Sequence, residues 1–531
     1  MSKLHWADFA AKKIIRERGD LDEYTCASGI TPSGTVHIGN FREIISVELV
    51  VRALEDLGKK TRFIYSWDDY DVFRKVPVNM PKPEVLEKYL RYPITSVPDT
   101  FERDENYARY HEVDVENVLP LVGIKPIYLY QAKNYQKGLY AEGMRTALQK
   151  RNKIKEILNS FRDAKHQMEG EHWPVSVFCS KCSKDTTEIK GYDGDWEVHY
   201  TCECGNDEKI DLRTTKIAKL GWRVDWPMRW AYEKVVFEPA GKDHHSKGGS
   251  FDTAEVVAKE IYNYPAPISF SYDFIGLKGL PGKMSSSKGK VISLSDVLQY
   301  YQPEVVRYLF ASSRPNTEFS ISFDLDVIKI YEDYDKNERI AYGVQKAKNE
   351  DVLKQERRIY ELSQVEKLPK DFKFEAEKMP YQIPFRHLCN LLQINEGDIE
   401  ATLDTLDDLK DFQKDRLATR ARCAWNWITE CAPDDFKFSL RKSDTPVSLN
   451  ELETKVIEKV QSEIIPVLDK LSEKEISNKL YDIARSVEIA PKELFVAVYK
   501  VLINKEQGPR IANFMKTLGM KRLEELFNSR G

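Results

Sequence analysis

Four cysteines in two close pairs form the clearest set of metal ligands in the sequence. Two residues separate Cys179 from Cys182, one separates Cys202 from Cys204, and nineteen lie between the pairs. Two close pairs of thiolates are typical of tetrahedral zinc, and a site closed by four of them is structural. The sequence therefore predicts a structural zinc site here. The alternatives are four free cysteines, or a site in which His199 replaces one of them.

A glycine-rich turn at residues 29–40 offers donors for a phosphate chain. It follows a predicted buried strand and precedes a helix that we expect to begin near Ile38. Glycines let the backbone approach a ligand, and the unpaired N–H groups of a helix N-terminus favour anions. His37 lies at this point as a further donor. The alternative is a capping turn with a surface histidine.

A second group of phosphate donors lies far along the chain. Residues 283–288 read Lys-Met-Ser-Ser-Ser-Lys, and they follow Gly279, Pro281 and Gly282, which favour a loop. Lysines and hydroxyls on a loop can close over a polyphosphate and stabilise the charge that develops on leaving pyrophosphate. The alternative is a solvated Ser/Lys loop.

Residues 241–245 read Gly-Lys-Asp-His-His and resemble part of a nucleoside site. An aspartate soon after a glycine at a strand end, as in Gly241 and Asp243, suits a ribose hydroxyl. His244 and His245 could form half of a metal site. No third ligand lies at a convincing spacing, so we expect these histidines to contact substrate.

Regular elements must position the first turn. Residues 24–28 predict a buried strand, apolar residues then repeat on one helical face until Gly58, and residues 62–67 predict a second strand. That strand ends at Asp68 and Asp69. A strand–helix–strand unit of this kind indicates a parallel, nucleotide-binding sheet.

The two phosphate-binding segments together resemble the signatures of class I aminoacyl-tRNA synthetases. His37-Ile-Gly-Asn40 corresponds to the first signature and residues 283–288 correspond to the second. Lys283 follows Asn40 by 243 residues. Asn40 replaces the usual histidine, which is typical of the lysyl members of the class. Ser286 replaces the usual lysine of the second signature.

Further segments at residues 68–77, 89–99 and 514–519 also resemble the class I lysyl family. The resemblance therefore covers most of the chain.

The resemblance implies three sets of functional residues. It implies that His37, Asn40 and Lys283 stabilise the triphosphate in the transition state. The implied ATP-binding residues are His37, Gly39, Asn40, Gly241, Asp243, Lys283, Ser285, Ser286, Ser287 and Lys288. The implied lysine-binding residues are Gly29, Thr31, Asp68, Asp69, Trp222, His244 and Tyr272. A buried ammonium group needs an anion, and this requirement does not choose between Asp68 and Asp69.

The predicted fold is α/β, with a Rossmann-type parallel-sheet catalytic domain, a zinc-bearing insertion and an all-helical C-terminal region. A chain of 531 residues is too long for one core. The predicted catalytic domain covers 1–75 and 210–275, and it is interrupted by a connective insertion at 76–209 with a zinc knuckle at 179–205. A region at 276–330 contains the loop of the second signature, known as KMSKS, and contacts the tRNA stem. A helical anticodon-binding region follows at 331–531.

Local signals in the C-terminal third predict helices. Ser448 with Glu451, and Ser472 with Glu475, have the spacing of capping boxes. Residues 351–374 are strongly charged, and we expect them to form a partly mobile connection.

Composition restricts the cellular setting. Charged residues make up 31% of the chain and the net charge is −4, which neither suggests nor excludes an RNA partner, because phosphates are bound by local patches. No signal peptide or apolar stretch long enough for a membrane helix is evident. The clustered cysteines favour a reducing compartment. We expect a cytoplasmic protein that binds neither membrane nor DNA.

The resemblance implies that lysine is activated with ATP and transferred to the 2′-OH of the terminal adenosine of tRNA(Lys). ATP would be the co-substrate with Mg²⁺, and Zn²⁺ would be structural. One alternative is a class I enzyme for glutamate, which would need an arginine-rich pocket, or for cysteine, which would need zinc with an open position. Others are a non-catalytic regulator that binds tRNA or amino acid, and a small-molecule nucleotidyltransferase.

Overall fold

The structure is a computed structural model that describes residues 4–163, 165–279 and 291–529. Within these ranges no helix is both long and apolar enough to cross a membrane.

Helices and strands alternate in the first third of the chain. In chain order they are α1 (Trp6–Arg18), β1 (Tyr24–Ile30), α2 (Ile38–Asp56), β2 (Thr61–Trp67), α3 (Pro83–Leu86), α4 (Tyr107–Val118), β3 (Ile127–Tyr130), α5 (Gln131–Gln136), α6 (Ala141–Gln149) and α7 (Arg151–Ser160). The predicted strand–helix–strand unit is confirmed, because β1 and β2 pair in parallel on either side of α2 in the sequence. Helix α2 is apolar on most faces because it is buried along nearly its whole length.

A second group of strands surrounds the four clustered cysteines. They are β4 (Val175–Val177), β5 (Thr187–Tyr192), β6 (Glu197–Cys202), β7 (Asp207–Asp211) and β8 (Ala218–Leu220). Strands β5, β6 and β7 form an antiparallel sheet, and β4 pairs with β8. This region packs with α6, α7 and α9 (Ser250–Tyr262) around a core separate from that of the parallel sheet.

The chain then returns to the parallel sheet. The elements are α8 (Trp222–Glu233), β9 (Val235–Phe237), β10 (Ala240–Gly241), α9, β11 (Ser271–Tyr272), β12 (Ile275–Lys278), α10 (Leu294–Leu298), α11 (Pro303–Ala311) and β13 (Phe319–Ser322). The sheet has the order β3-β2-β1-β9, and each neighbouring pair is parallel. Strand β3 lies within the segment 76–209 that the sequence assigns to the insertion, so that segment also contributes to the sheet. The parallel sheet confirms the predicted α/β class.

Helices make up the regular structure described after β13. They are α12 (Asp326–Ala341), α13 (Glu350–Ser363), α14 (Phe385–Ile394), α15 (Ile399–Asp404), α16 (Asp411–Glu430), α17 (Glu451–Glu463), α18 (Glu473–Val487), α19 (Pro491–Ile503) and α20 (Ile511–Asn528). Helices α12–α16 share a core with the parallel sheet, whereas α17–α20 pack around a core of their own. The predicted helical C-terminal region is confirmed.

Two local predictions in this region are wrong. Helix α17 is capped by Asn450 and Glu453, not by Ser448 and Glu451, because the asparagine side chain accepts from the Glu453 N–H. The predicted box at Ser472 is confirmed. Residues 351–374 are predicted as a partly mobile connection, but more than half of this stretch is regular structure, since α13 occupies 350–363 and buries apolar residues at its C-terminal end.

Candidate active site

A small cavity opens at the carboxyl ends of β1, β2 and β9. Its lining residues come from these strand ends, from α2 and α8, and from the segment after β9. They are Gly29, Glu43, Ser66, Asp68, Trp222, Trp226, Arg229, Glu238, Pro239, Ala240 and His244. The carboxyl ends of parallel strands are the usual ligand-binding edge of such sheets.

Glu43, on the second turn of α2, is the central acidic group of one wall. Its carboxylate accepts hydrogen bonds from the hydroxyls of Ser28 (2.7 Å) and Tyr272 (2.5 Å) and from the N–H of Gly29 (3.3 Å). Burial raises the pKa of Glu43. Position 29 has no space for a side chain, because a Cβ there would lie 2.8 Å from the Ser66 carbonyl oxygen.

The sequence analysis missed Glu43. The signal that could have found it is its position three residues after Asn40 on the helix that carries the first signature. Residues three apart on a helix lie on one side of it, so Glu43 was a candidate for the same edge of the sheet.

Asp68 and Asp69 lie in different environments. The Asp68 carboxylate lines the cavity and accepts from Arg229 (Nη1, 2.6 Å) and the Ser66 hydroxyl (3.1 Å). Asp69 is 3% exposed and accepts the N–H of Ala132 (2.7 Å) at the start of α5. Burial raises the pKa of Asp69 to about 7. Of the two aspartates that the sequence left open, Asp68 is the one that lines the cavity.

Arg229 is the cation beside Asp68 in the cavity, and its guanidinium already contacts two carboxylates. Its guanidinium contacts Asp68 and, at 3.1 Å, the carboxylate of Asp225. Asp225 in turn accepts a hydrogen bond from the Tyr135 hydroxyl. These carboxylates hold the pKa of Arg229 well above its usual value despite its burial.

Aromatic rings form the opposite wall. The rings of Trp222 and Trp226 stack 5.1 Å apart at an interplanar angle of 14°, and His244 lies edge-on to Trp226 at 5.9 Å. The His244 ring is held by the Ser250 hydroxyl at 2.5 Å. His245 instead contacts the Ser269 hydroxyl at 3.0 Å, so the two histidines have different hydrogen-bond partners.

Two other predicted lysine contacts have partners next to the cavity. Tyr272 reaches it through Glu43, as described above. Thr31 donates to Asp71 (3.0 Å), which also pairs with Lys219. The structure therefore brings Gly29, Trp222 and the other lining residues together, while Thr31 belongs to a neighbouring polar group.

The N-terminus of α2 carries the first signature. The Nδ1 of His37 accepts from the N–H of Gly39 (3.0 Å), and the side-chain oxygen of Asn40 accepts from the N–H of His37 (3.2 Å). Desolvation lowers the pKa of His37, which favours the neutral ring that can accept at Nδ1. A Cβ at position 39 would lie 2.8 Å from the His37 ring, so any side chain there would displace the ring from its capping position. The turn is thus a helix cap, and it leaves the Nε2 of His37 as a donor.

The predicted nucleoside contacts flank the cavity. Gly241 on β10 pairs with Tyr272 on β11, and a Cβ at position 241 would lie 2.6 Å from the Asp243 carboxylate. The Asp243 side chain is 68% exposed. Lys283, Ser285, Ser286, Ser287 and Lys288 lie outside the described residues. Just after them, the carbonyl of Ile292 accepts the N–H of Ile38, so the chain resumes beside the first signature.

Arg42 ties this region together, and the sequence analysis did not identify it. Its guanidinium is buried and donates to the backbone carbonyls of Asp273, Phe274, Arg314 and Thr317 at 2.6–3.0 Å. Helix α2 is thereby fixed to the segments that precede β12 and β13, two strands that pair in parallel. No pattern in the sequence distinguishes Arg42 from a surface arginine.

The four clustered cysteines converge as predicted. Their sulfur atoms all lie within 4.8 Å of one another, with 3.6 Å between Cys179 and Cys204 and between Cys182 and Cys202. Zn–S bonds of about 2.3 Å in a tetrahedron require similar separations. His199 is not in this group and contacts Asp207 instead. The four residues fit a zinc ion without rearrangement.

Comparison with known proteins identifies the family. The model of the family described as tRNA synthetases class I (K) matches residues 4–366. Three curated proteins named lysine–tRNA ligase are similar over nearly the whole chain. That of Treponema pallidum is 58% identical over 99% of this chain and 98% of its own length; that of Borreliella burgdorferi is 53% identical over 99% of both; and that of Pyrococcus horikoshii is 40% identical over 97% of both.

The family model covers most of the chain, and the relatives are matched along almost their full length. This protein therefore belongs to the class I (K) family of tRNA synthetases.

Proposed function

We propose that this protein ligates lysine to tRNA(Lys). It activates lysine with ATP to lysyl-adenylate and transfers the lysyl group to the 2′-OH of the terminal adenosine. The observation that carries this proposal is the excess of carboxylates in the cavity. Glu43, Asp68 and Glu238 line it together with one cation, Arg229, which is already paired with Asp68 and Asp225. The names of the three relatives agree with it.

This charge balance favours lysine over the rival amino acids. Glutamate would need free cations, whereas the cavity has an excess of anions. A cysteine substrate would need a metal ion with an open coordination position beside the parallel sheet. The four clustered cysteine residues instead offer a closed set of ligands, and they lie in the β5–β7 region. A diammonium substrate supplies the cations that the cavity lacks.

We assign one substrate ammonium to Glu43. Among the described residues no salt bridge joins Glu43 to a cation, whereas Asp68 is neutralised by Arg229. An ammonium in the cavity would therefore gain most from Glu43, with the Tyr272 hydroxyl holding the carboxylate in place. The stacked rings of Trp222 and Trp226 would contact the methylene chain.

We assign ATP to the N-terminus of α2 and the segment after β9. The Nε2 of His37 and the side-chain amide of Asn40 would donate to the triphosphate, which Gly39 allows to approach the helix closely, and Gly241 with Asp243 would contact the ribose. Lys283, Ser285, Ser286, Ser287 and Lys288 would close over the phosphates, with Mg²⁺ accompanying the nucleotide.

In the first step the lysine carboxylate attacks the α-phosphorus and pyrophosphate leaves. In the second the tRNA hydroxyl attacks the carbonyl carbon and AMP leaves. Neither step needs a covalent enzyme intermediate, so catalysis rests on positioning and on stabilisation of charge.

The remaining assignments concern structure and setting. Cys179, Cys182, Cys202 and Cys204 would hold a structural Zn²⁺ that stabilises the β5–β7 sheet. The helical region at 331–531 would bind the anticodon, within the domain division given above. A cytoplasmic setting agrees with four clustered cysteines that would act as metal ligands in place of disulfides.

The test is ATP–pyrophosphate exchange with each of the twenty amino acids, with and without tRNA. Exchange stimulated by lysine alone is expected. Dependence on tRNA would mean that the cavity is completed only in the complex. Exchange with a different amino acid would keep the family and overturn the choice of lysine. No exchange under any condition would favour a regulatory role.

The second signature can be tested separately. We expect Lys283→Ala to lower the rate of lysine activation more than it weakens lysine binding, because the lysine would act on charge that develops in the transition state. Single-turnover adenylate formation gives the rate, and its dependence on lysine concentration gives the affinity. Equal losses in both would contradict a transition-state role.

A further inference from the structure

Glu238 is a buried carboxylate that faces the same cavity as Glu43. It follows the last residue of β9, is 8% exposed, and accepts indole N–H groups from Trp226 (3.1 Å) and Trp230 (2.6 Å). Trp226 is the ring that stacks on Trp222, and Trp230 packs against Trp226 at 4.8 Å. The Glu238 side chain therefore holds two indole rings: Trp226, which belongs to the aromatic wall, and Trp230, which packs against Trp226.

The charge of Glu238 has no salt-bridge partner among the described residues. The charges that act on it are Glu43, which repels it, and Arg229, which is held by two other carboxylates. Two uncompensated carboxylates around one small cavity are unfavourable until a cation enters it.

Holding the indoles does not by itself require a charge. A neutral amide oxygen also accepts N–H groups, and it avoids the cost of burying an anion. A carboxylate at this position is explained if the ligand is cationic.

We propose that Glu238 is a positioning residue that sets the preference for a cationic amino-acid side chain. It orients Trp226 and Trp230 and, together with Glu43, makes the cavity favour an ammonium group over an uncharged group of the same size. This inference rests on the proposed lysine specificity and adds a determinant to it.

The test compares lysine with 6-hydroxynorleucine, in which a hydroxyl replaces the side-chain ammonium. Exchange assays give KM and kcat for lysine, KM for ATP, and the inhibition constant of the analogue for the native protein, Glu238→Gln and Glu238→Asp. We expect Glu238→Gln to raise KM for lysine about 30-fold. The analogue's inhibition constant, kcat and KM for ATP should each change less than about threefold. Glu238→Asp, which keeps the charge, should recover part of the loss.

Glu116 provides a matched control outside the cavity. Its carboxylate also accepts an indole N–H, that of Trp67 at 3.1 Å. Glu116→Gln should therefore leave KM for lysine within about twofold, and thermal unfolding of every variant shows whether the fold is retained.

Two results would overturn the inference. If Glu238→Gln weakens the binding of lysine and of the analogue by the same factor, Glu238 acts only by shaping the aromatic wall. If the preference for lysine is unchanged in a folded variant, its charge has no role. Failure of the native protein to use lysine would instead overturn the proposed function, so the two failures are distinguishable. If Glu238→Gln does not fold, Glu238→Asp decides: a folded Asp variant that keeps part of the preference for lysine over the analogue supports a role for charge, and one that loses this preference wholly contradicts it.

Discussion

The cysteine cluster and the amino-acid cavity are built in opposite ways. All ligands of the cluster come from residues 179–204, at the turn before β5 and at the turn between β6 and β7, whereas the cavity joins Gly29 to His244 across several elements. The cluster brings four sulfur atoms together, while the cavity is lined by carboxylates, a guanidinium and aromatic rings. A site closed on itself can be predicted from local spacing, and a site built for a ligand cannot.

The two regions should also fail differently. A change at the cluster removes a cross-link of the fold, so stability should fall first. A change at the cavity removes a group that acts on substrate, so kinetics should change while the fold remains. We expect the largest effect from a change at the cavity and the smallest from a change far from both regions.

Glu43→Gln should lower kcat/KM for lysine about 10³-fold, because the amide keeps the size of the side chain but not the charge that an ammonium needs. The fold should survive, since the Tyr272 hydroxyl can accept from the new amide where it formerly donated. Lysine-dependent exchange measures the loss, and the melting temperature should stay within about 2 °C of the native value. A large fall in melting temperature with unchanged KM would reverse the expected contrast.

Cys182→Ser should destabilise the protein by about 3 kcal/mol, because it removes one of four thiolates from a site whose metal stabilises the fold. Zinc content measured on purified protein should fall below one ion per chain, and the unfolding transition should move to lower temperature. At temperatures where the variant is folded, KM for lysine should be close to native. A selective rise in KM for lysine would mean that the cluster also shapes the cavity.

The same contrast explains what the sequence could predict about the site. The first strand–helix–strand unit followed from hydrophobic periodicity, and the cysteine cluster followed from spacing, since both are local. Glu43 and Glu238 were missed because neither belongs to a motif, although each lies three residues from a predicted site residue, Asn40 and Gly241 respectively. Their role depends on a cavity that forms only when β1, β9 and α2 come together.

The choice between Asp68 and Asp69 has the same origin. Consecutive residues beyond a strand point in different directions, and the sequence does not say which one faces a ligand. The structure distinguishes them because Asp69 accepts the N–H of Ala132, from an element 63 residues later. The charged stretch at 351–374 was misjudged for a related reason: the burial of Tyr360 and Leu362 on α13 depends on distant partners.

The cavity should respond to pH, and the cluster variants allow that response to be isolated. Burial, with repulsion from Glu43, raises the pKa of Glu238 to about 7, while both indole N–H groups and Arg229 oppose the shift. Lysine favours the ionised form, which prevails above pH 7, so KM for lysine should rise as pH falls through 7, by up to about tenfold per pH unit. Exchange kinetics from pH 6 to 8, with KM for ATP as the control, measure this. The dependence of KM for lysine on pH should be shallower in Glu238→Gln and the same as native in Cys182→Ser. An unchanged pH dependence in Glu238→Gln would assign the titration to other groups.

The smallest expected effect lies far from both regions. Ser472 caps α18, where its hydroxyl accepts the N–H of Glu475 and the Glu475 carboxylate accepts from the N–H and hydroxyl of Ser472. Ser472→Ala should cost about 1 kcal/mol of stability, because it leaves one helix donor without its side-chain partner. For a 531-residue chain that unfolds as one unit, the corresponding change in melting temperature is about 1 °C, with no change in lysine or ATP kinetics. Helices α17–α20 have a core of their own, so this substitution should not reach the cavity. A kinetic effect on lysine activation without tRNA would show that the C-terminal bundle is coupled to the cavity, and that stability and catalysis are not separate.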